Sequence, residues 1–280
     1  MPVIVWATRC GSGKAEAPLL SLRSYGLVHR ISGPVLRDLS FDVGQAEIVC
    51  IVGESGSGKS QLLLSLLGMA MPGATASGSA RLAGIGLAGI ELAGASEFVL
   101  RPLRGRQMGM LFQDPLLSWN PCRTIGSQLR EVPVLRGVES AEVHRRLLQA
   151  LRDVELQDPE RLLRCYPHQL SGGMRQRAML AMAVLGQPRL LLADEPTTAL
   201  DPTTQQRVLQ HLRRLRDQKG MSILLVTHDL GVVAEIADRV LVLEQGCIVE
   251  EGTPAAVLRT PSSPYAIRLV QAARQLEGLP

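Results

Sequence analysis

Apolar residues along this chain alternate between short continuous runs and longer stretches of helical spacing. Ile48-Val49-Cys50-Ile51-Val52 is a β-branched run that predicts a buried strand, and Gln61 to Leu67 behind it predicts a helix. Leu190 to Ala193 is wholly apolar, as in parallel strands covered on both faces. Ile223–Val226 and Val240–Leu243 predict two more such strands, with a helix over Leu230–Ala237 between them. Leu19–Tyr25 and Val35–Val43 predict strands near the start, and Ala80-Arg81-Leu82 and Met108–Phe112 two others. From Ile125 to Arg164 the pattern turns helical, with Val143, Leu147, Leu148, Leu151 and Val154 at helix intervals. Ser171–Leu185 predicts a further helix. Asp201-Pro202 reads as an N-cap followed by proline at the first helical position, opening a helix with Val208, Leu209, Leu212 and Leu215 on one face. Thr253-Pro254 starts a short helix, and Pro264–Leu276 gives the last. Strands alternating with helices predict a parallel α/β sheet, with the ligand at the carboxyl ends of its strands.

Composition narrows the function classes. Of 280 residues, 46% are apolar and 20% charged, which are globular values. Aromatics at 3% offer no base-stacking platform for nucleic acid. A net charge of +4 permits an acidic partner without demanding one, because the basic residues are dispersed. The five cysteines form no C-x-x-C pair, so a disulfide frame or zinc knuckle is not expected and a reducing compartment fits. The longest charge-free run, Ser60–Ala80, contains Gly68, Pro72, Gly73 and Gly78 and is not read as a membrane span. Met1–Trp6 lacks a basic flank and is not read as a signal peptide.

Gly53-Glu54-Ser55-Gly56-Ser57-Gly58-Lys59-Ser60 follows the first buried strand and opens the helix beginning near Gln61. Strand, glycine-rich loop and helix are the context a P-loop requires. Its backbone N–H groups wrap phosphate oxygens at a helix N-terminus, Lys59 reaches the β- and γ-phosphates, and Ser60 holds Mg²⁺ through its hydroxyl. Only three lysines stand against 27 arginines, so a lysine here is not background. Gly11-Ser12-Gly13-Lys14 is a decoy, since Thr8 and Ala15 stand where glycine and Ser/Thr are needed. Asp194-Glu195 closes an apolar strand; beside a P-loop, Asp194 suits Mg²⁺, and Glu195 projects toward the γ-phosphate as a proton acceptor. Ser171-Gly172-Gly173 opens another helix, either as a plain cap or as a second anion site. Taken as an anion site, it suggests two copies meeting head to tail.

With these motifs in order, Leu19–Leu276 resembles the ATP-binding subunits of ABC transporters. Gln113 stands as the Q-loop, Leu170-Ser171-Gly172-Gly173-Met174 as the signature, Ala199-Leu200-Asp201 as the D-loop, and Thr227-His228-Asp229 as the switch. The resemblance implies an α/β P-loop NTPase fold with a RecA-like parallel-sheet core, a small antiparallel β subdomain and an α-helical subdomain over about 114–168. It implies an extension over 1–18, a cassette over 19–252 and a helical extension over 253–280. ATP and Mg²⁺ are the implied cofactors. Lys59, Ser60 and Asp194 would bind phosphates and metal, and Glu54, Ser55, Ser57, Gln61 and the loop glycines the nucleotide. Gln113 would sense γ-phosphate and metal, Glu195 act as base, and His228 contact the γ-phosphate. Ser171, Gly172, Gly173 and Asp201 would serve the nucleotide across a dimer. Tyr25 is the candidate for adenine stacking, by position only, with plain packing as the other reading. Phe112-Gln113-Asp114-Pro115 to Asn120-Pro121, Tyr166-Pro167-His168-Gln169 and Ser263-Pro264-Tyr265 are similar to the peptide and nickel importer group. This implies a second ATPase subunit, forming a heterodimer or a homodimer. It also implies two transmembrane permease subunits, a solute-binding protein reached indirectly, and a peripheral place on the cytoplasmic face of the cell (inner) membrane. Only Cys247 lies beyond the switch, so no iron–sulfur cluster is expected, which favours the nickel or metal-chelate type. The alternative is a soluble ATPase of the same type acting on nucleic acid or ribosomes.

Overall fold

The computed structural model describes residues 17–84, 89–114, 118–198 and 200–277. The region before Ala17, Pro115 to Leu117 and Ala199 of the D-loop therefore lie outside the described residues.

The strands run β1 (Leu20–His29), β2 (Gly33–Val43), β3 (Ile48–Val52), β4 (Ala74–Leu82), β5 (Ile90–Glu91), β6 (Met108–Leu111), β7 (Leu190–Asp194), β8 (Ser222–Thr227), β9 (Arg239–Glu244) and β10 (Cys247–Gly252). They form a four-stranded antiparallel sheet, β2-β1-β4-β5, and a six-stranded sheet, β10-β9-β3-β8-β7-β6. In the larger sheet all neighbours pair in parallel except β10, which runs against β9. The apolar runs are strands of this sheet because both faces are covered. On β3, Ile48, Cys50 and Val52 face one core with the helices, whereas Val49 and Ile51 face another with Leu22, Leu39 and Leu62. That alternation is the two-residue period of a strand, with apolar partners on both sides.

The helices are α1 (Lys59–Leu66), α2 (Glu97–Leu100), α3 (Ile125–Leu129), α4 (Glu131–Leu135), α5 (Ser140–Asp153), α6 (Pro159–Arg164), α7 (Gly172–Leu185), α8 (Pro202–Lys219), α9 (Leu230–Ile236), α10 (Pro254–Arg259) and α11 (Pro264–Glu277). The helical spacing read between Ile125 and Arg164 becomes α3 to α6. Val143, Leu147 and Leu151 are buried there, and Trp119 packs into the same core at 2% exposure. The Asp201 cap forms as its sequence dictates, its carboxylate accepting the Thr204 N–H at 3.0 Å.

Two features were not expected. β1 and β2 extend further than their apolar runs, and β10 follows β9 through a two-residue turn. Gln245 and Gly246 take φ of 48° and 80°, the left-handed pair that closes a tight hairpin. Gly246 donates its N–H to the Ser57 carbonyl (3.1 Å) and accepts from Arg37 N–H (2.8 Å). A Cβ at Gly246 would stand 2.3 Å from the Val35 carbonyl oxygen, so only glycine fits.

Leu225 lies at 0% exposure on β8, between the P-loop strand and the Asp194 strand. Leu225→Ala is expected to cost about 2–5 kcal/mol of unfolding free energy in urea denaturation, through lost burial plus a cavity.

Candidate functional site

The strand order sets the site. The loops after β3, β8, β7 and β6 emerge side by side, carrying the P-loop, Thr227-His228-Asp229, Asp194-Glu195 and Gln113 in that sequence. Gly53 leaves β3 so close to its neighbour that a Cβ would stand 2.2 Å from the Leu243 carbonyl oxygen. Gly56 and Gly58 take φ of 83° and 105°, turning the chain back over the start of α1. Glu54, Ser55 and Gly56 form the exposed lip of the loop. The helix has no side-chain cap and no acid in its first turn, so its leading N–H groups remain open to an anion. Ser57 Oγ is buried and makes no hydrogen bond with the described residues. An uncapped helix start, left-handed glycines and an orphaned hydroxyl fit a phosphate. Gln61, in the first turn of α1, accepts Met71 N–H through its Oε1 at 3.2 Å.

Lys59 Nζ donates to the carbonyls of Gly53 (2.7 Å) and Glu54 (2.9 Å). Burial lowers its pKa, against the pull of Glu195, Asp194 and Glu54. Ser60 Oγ donates to Asp194 Oδ1 at 2.8 Å. This hydroxyl–carboxylate pair offers the hard oxygen ligands that a small divalent cation takes along with phosphate and water. The described residues contain no group of three or more His, Cys, Asp or Glu able to hold a metal.

The adjacent carboxylates are driven in opposite directions. Burial pushes Asp194 up, and repulsion from Glu195 adds to it, outweighing the Ser60 hydrogen bond and the Lys59 charge. Burial would also raise Glu195, but hydrogen bonds from His228 and Thr198, with the attraction of His228 and Lys59, hold it below the usual carboxylate range. The Glu195 backbone is left-handed at φ 44° and is anchored by its N–H on the Val226 carbonyl at 2.9 Å. Its carboxylate accepts from Gln113 Nε2 (3.1 Å) and Thr198 Oγ1 (2.9 Å) and lies 3.0 Å from His228 Nδ1. Gln113 and His228, far apart in sequence, thus meet on one carboxylate.

Ser171 caps α7 by accepting Met174 N–H at 3.3 Å. Gly172 is open on its outer side, while Gly173 packs on Thr204, whose Cγ2 would stand 2.8 Å from a Cβ there. Gln176 Nε2 donates to the Pro196 carbonyl at 2.5 Å, tying α7 to the turn after Glu195. Asp201 also accepts Thr204 Oγ1 at 2.7 Å, so it serves as a helix cap within this chain. Among the described residues, no hydrogen bond joins Ser171–Gly173 to the P-loop of the same chain.

The expectation for Tyr25 is corrected. Its side chain is 0% exposed and its Oη donates to Ser65 Oγ at 2.8 Å inside the core, leaving no ring face for adenine. The cause is a bulge. The register of β1 against β2 shifts between Leu22 and Tyr25, where Ser24 takes φ 46°, so Tyr25 turns inward beside Leu20 and Leu22. Two unexpected residues reach the site. Thr198 holds Glu195 from three positions on, with no motif to mark it. Tyr265, seen beforehand only as part of a Ser-Pro-Tyr segment, touches the P-loop backbone.

A glycine loop over a helix start, faced by a carboxylate from the parallel strand next but one, defines a P-loop nucleoside triphosphatase. The ABC transporter family profile matches residues 36–198. The peptidoglycan transport ATP-binding protein YejF of Agrobacterium fabrum is 42% identical over 259 residues, 91% of this chain but only 47% of that protein. The oligopeptide transport ATP-binding protein OppD of Salmonella typhimurium is 42% identical over 244 residues, 87% of this chain and 71% of that one. A dimeric ATP-binding cassette solved in a post-hydrolysis state with ADP and phosphate superposes at a TM-score of 0.73 and 26% identity, covering 84% of this chain and 98% of that one. The chain belongs to the ABC transporter family, and its fold is that of an ABC ATPase cassette.

Tyr25→Phe is expected to cost about 1 kcal/mol of stability by chemical denaturation while leaving nucleotide affinity unchanged. Because the Asp194 carboxyl is raised on folding, its ionisation lowers stability as pH climbs past the ordinary carboxylate range. Asp194→Asn, which keeps an acceptor for Ser60, should therefore raise the Tm of the nucleotide-free chain at neutral pH by about 1–3 °C. An unchanged or lower Tm would show that this charge is not a burden.

Proposed function

We propose that this chain is the ATP-hydrolysing subunit of an ABC importer for peptides, working as a dimer beneath two permease subunits. The observation that carries the reading is the junction of Gln113, His228 and Thr198 on Glu195, next to the Ser60–Asp194 pair and the P-loop lysine. The P-loop N–H groups and Lys59 bind the phosphates of ATP. Ser60 and Asp194, with Gln113 nearby, would hold Mg²⁺, which would supply charge neutralisation for the phosphates. Glu195, kept ionised by its neighbours, accepts the proton of the attacking water. Gln113 and His228, both bonded to that base, respond to the γ-phosphate. Ser171, Gly172 and Gly173 of a second cassette close over the same nucleotide, and the helical segment over about 114–168 passes the closure to the permease.

In this division, residues 19–252 form the cassette and 253–280 a helical extension. The second cassette is either another gene product or a second copy of this chain. A solute-binding protein delivers cargo to the permease without touching the cassette, and the protein sits on the cytoplasmic face of the inner membrane. Peptide is preferred to a nickel or metal chelate because the relatives above are named for oligopeptide and peptidoglycan transport. Those relatives are transport proteins, which lends nothing to a role on nucleic acid.

Glu195→Gln should retain Mg-ATP binding and trap a closed dimer, with turnover reduced about 10²–10⁴-fold, read by steady-state phosphate release and gel filtration. Undiminished turnover would remove Glu195 from its role. Lys59→Ala should weaken nucleotide affinity by more than about tenfold in calorimetric titration. Co-purification of the full chain with two membrane subunits tests the transporter assignment itself.

A further inference from the structure

The C-terminal helix α11 reaches the P-loop through one side chain. Tyr265 lies at its second position, 5% exposed, and its Oη accepts the Glu54 backbone N–H at 2.8 Å across 211 residues of sequence. The approach is built rather than incidental. The Glu250 carboxylate of β10 accepts the N–H groups of Ser262 (2.9 Å) and Ser263 (2.7 Å), fixing the turn into α11. Ser263 Oγ then caps the helix by accepting Ala266 N–H at 3.1 Å, and Pro264 supplies its first turn. Arg268 lies over the Tyr265 ring, 5.7 Å from its centroid, and pairs with Glu244 at 3.2 Å. The fixed turn, the helix cap and Arg268 together position the ring beside the P-loop.

The bond that it makes is on a particular peptide unit. Glu54 N–H and Gly53 C=O belong to the same amide plane, and Lys59 Nζ donates to that same Gly53 oxygen at 2.7 Å. One peptide is thus gripped at both ends, by the lysine at its oxygen and by the tyrosine at its nitrogen. Of the two grips, the lysine's belongs to the P-loop itself, whereas the tyrosine's comes from the C-terminal extension. Burial pushes the Tyr265 phenol up, so it remains a neutral hydroxyl at physiological pH.

We propose that Tyr265 is a positioning residue of the nucleotide site, orienting the Gly53–Glu54 peptide from the C-terminal extension and so making ATP affinity depend on how that extension is seated. This rests on the reading that the P-loop binds ATP. It gives the extension a role in nucleotide binding beyond covering the core with Val257, Ala266 and Val270.

The test is Tyr265→Phe in the full chain, which keeps the ring and loses only the acceptor. Mg-ATP and Mg-ADP dissociation constants should rise about two- to tenfold, the range of one net hydrogen bond. KM for ATP should rise with them while kcat is kept. Hydrogen exchange at the Glu54 amide, measured without nucleotide, should accelerate by a similar factor. A Phe variant with wild-type affinity and an unchanged Glu54 amide overturns the proposal. So does one whose melting temperature falls while its affinity does not, since that is the mark of a packing role. Failure of the wild-type chain to bind Mg-ATP would instead sink the nucleotide reading, which keeps the two outcomes distinct.

Discussion

A buried ammonium at the carboxyl end of a parallel sheet organises this molecule. Lys59 faces two carboxylates at the end of β7, the next strand but one, and the strands between and beside them contribute the remaining groups of the site. That arrangement requires β3, β8 and β7 to be adjacent and parallel. Such a sheet requires apolar cover on both faces, which the antiparallel sheet with α1 provides on one side and the helices on the other. The cores therefore serve the charge cluster by keeping its supporting strands in register.

Within that cluster, neighbouring acids have been given different environments. Asp194 is buried at the end of its strand with one hydroxyl partner, whereas Glu195 turns through a left-handed backbone into three donors. The first is a carboxylate that gains from a nearby cation; the second is ionised without one. Chain direction produces the difference, because the strand ends at Asp194 and the reversal at Glu195 swings the next side chain toward Gln113 and His228.

Much of this was legible beforehand because it is local. The P-loop, the apolar strands, the Asp201 cap and the Asp194-Glu195 pair each declare themselves within a few residues. What escaped depends on distant contacts or on a change of parity. β10 is half-exposed and lacks a continuous apolar run, although Gln245-Gly246 was a usable turn signal. Nothing in Arg23-Ser24-Tyr25 announces the bulge that turns Tyr25 inward and decides for packing over adenine stacking. Thr198 and Tyr265 matter only through partners that the fold delivers, one of them 211 residues away.

The hairpin between β9 and β10 also limits how the chain can be modified. Tips of this kind are where engineers graft epitopes, fluorescent domains and affinity handles, because most of them hang free in solvent. Here the tip amide of Gly246 is spent on the Ser57 carbonyl, and the Arg37 amide is spent on the tip's own oxygen. A graft at that bend would pull on the phosphate loop and on β2 together, so the most inviting insertion point on this edge of the sheet is closed to such use.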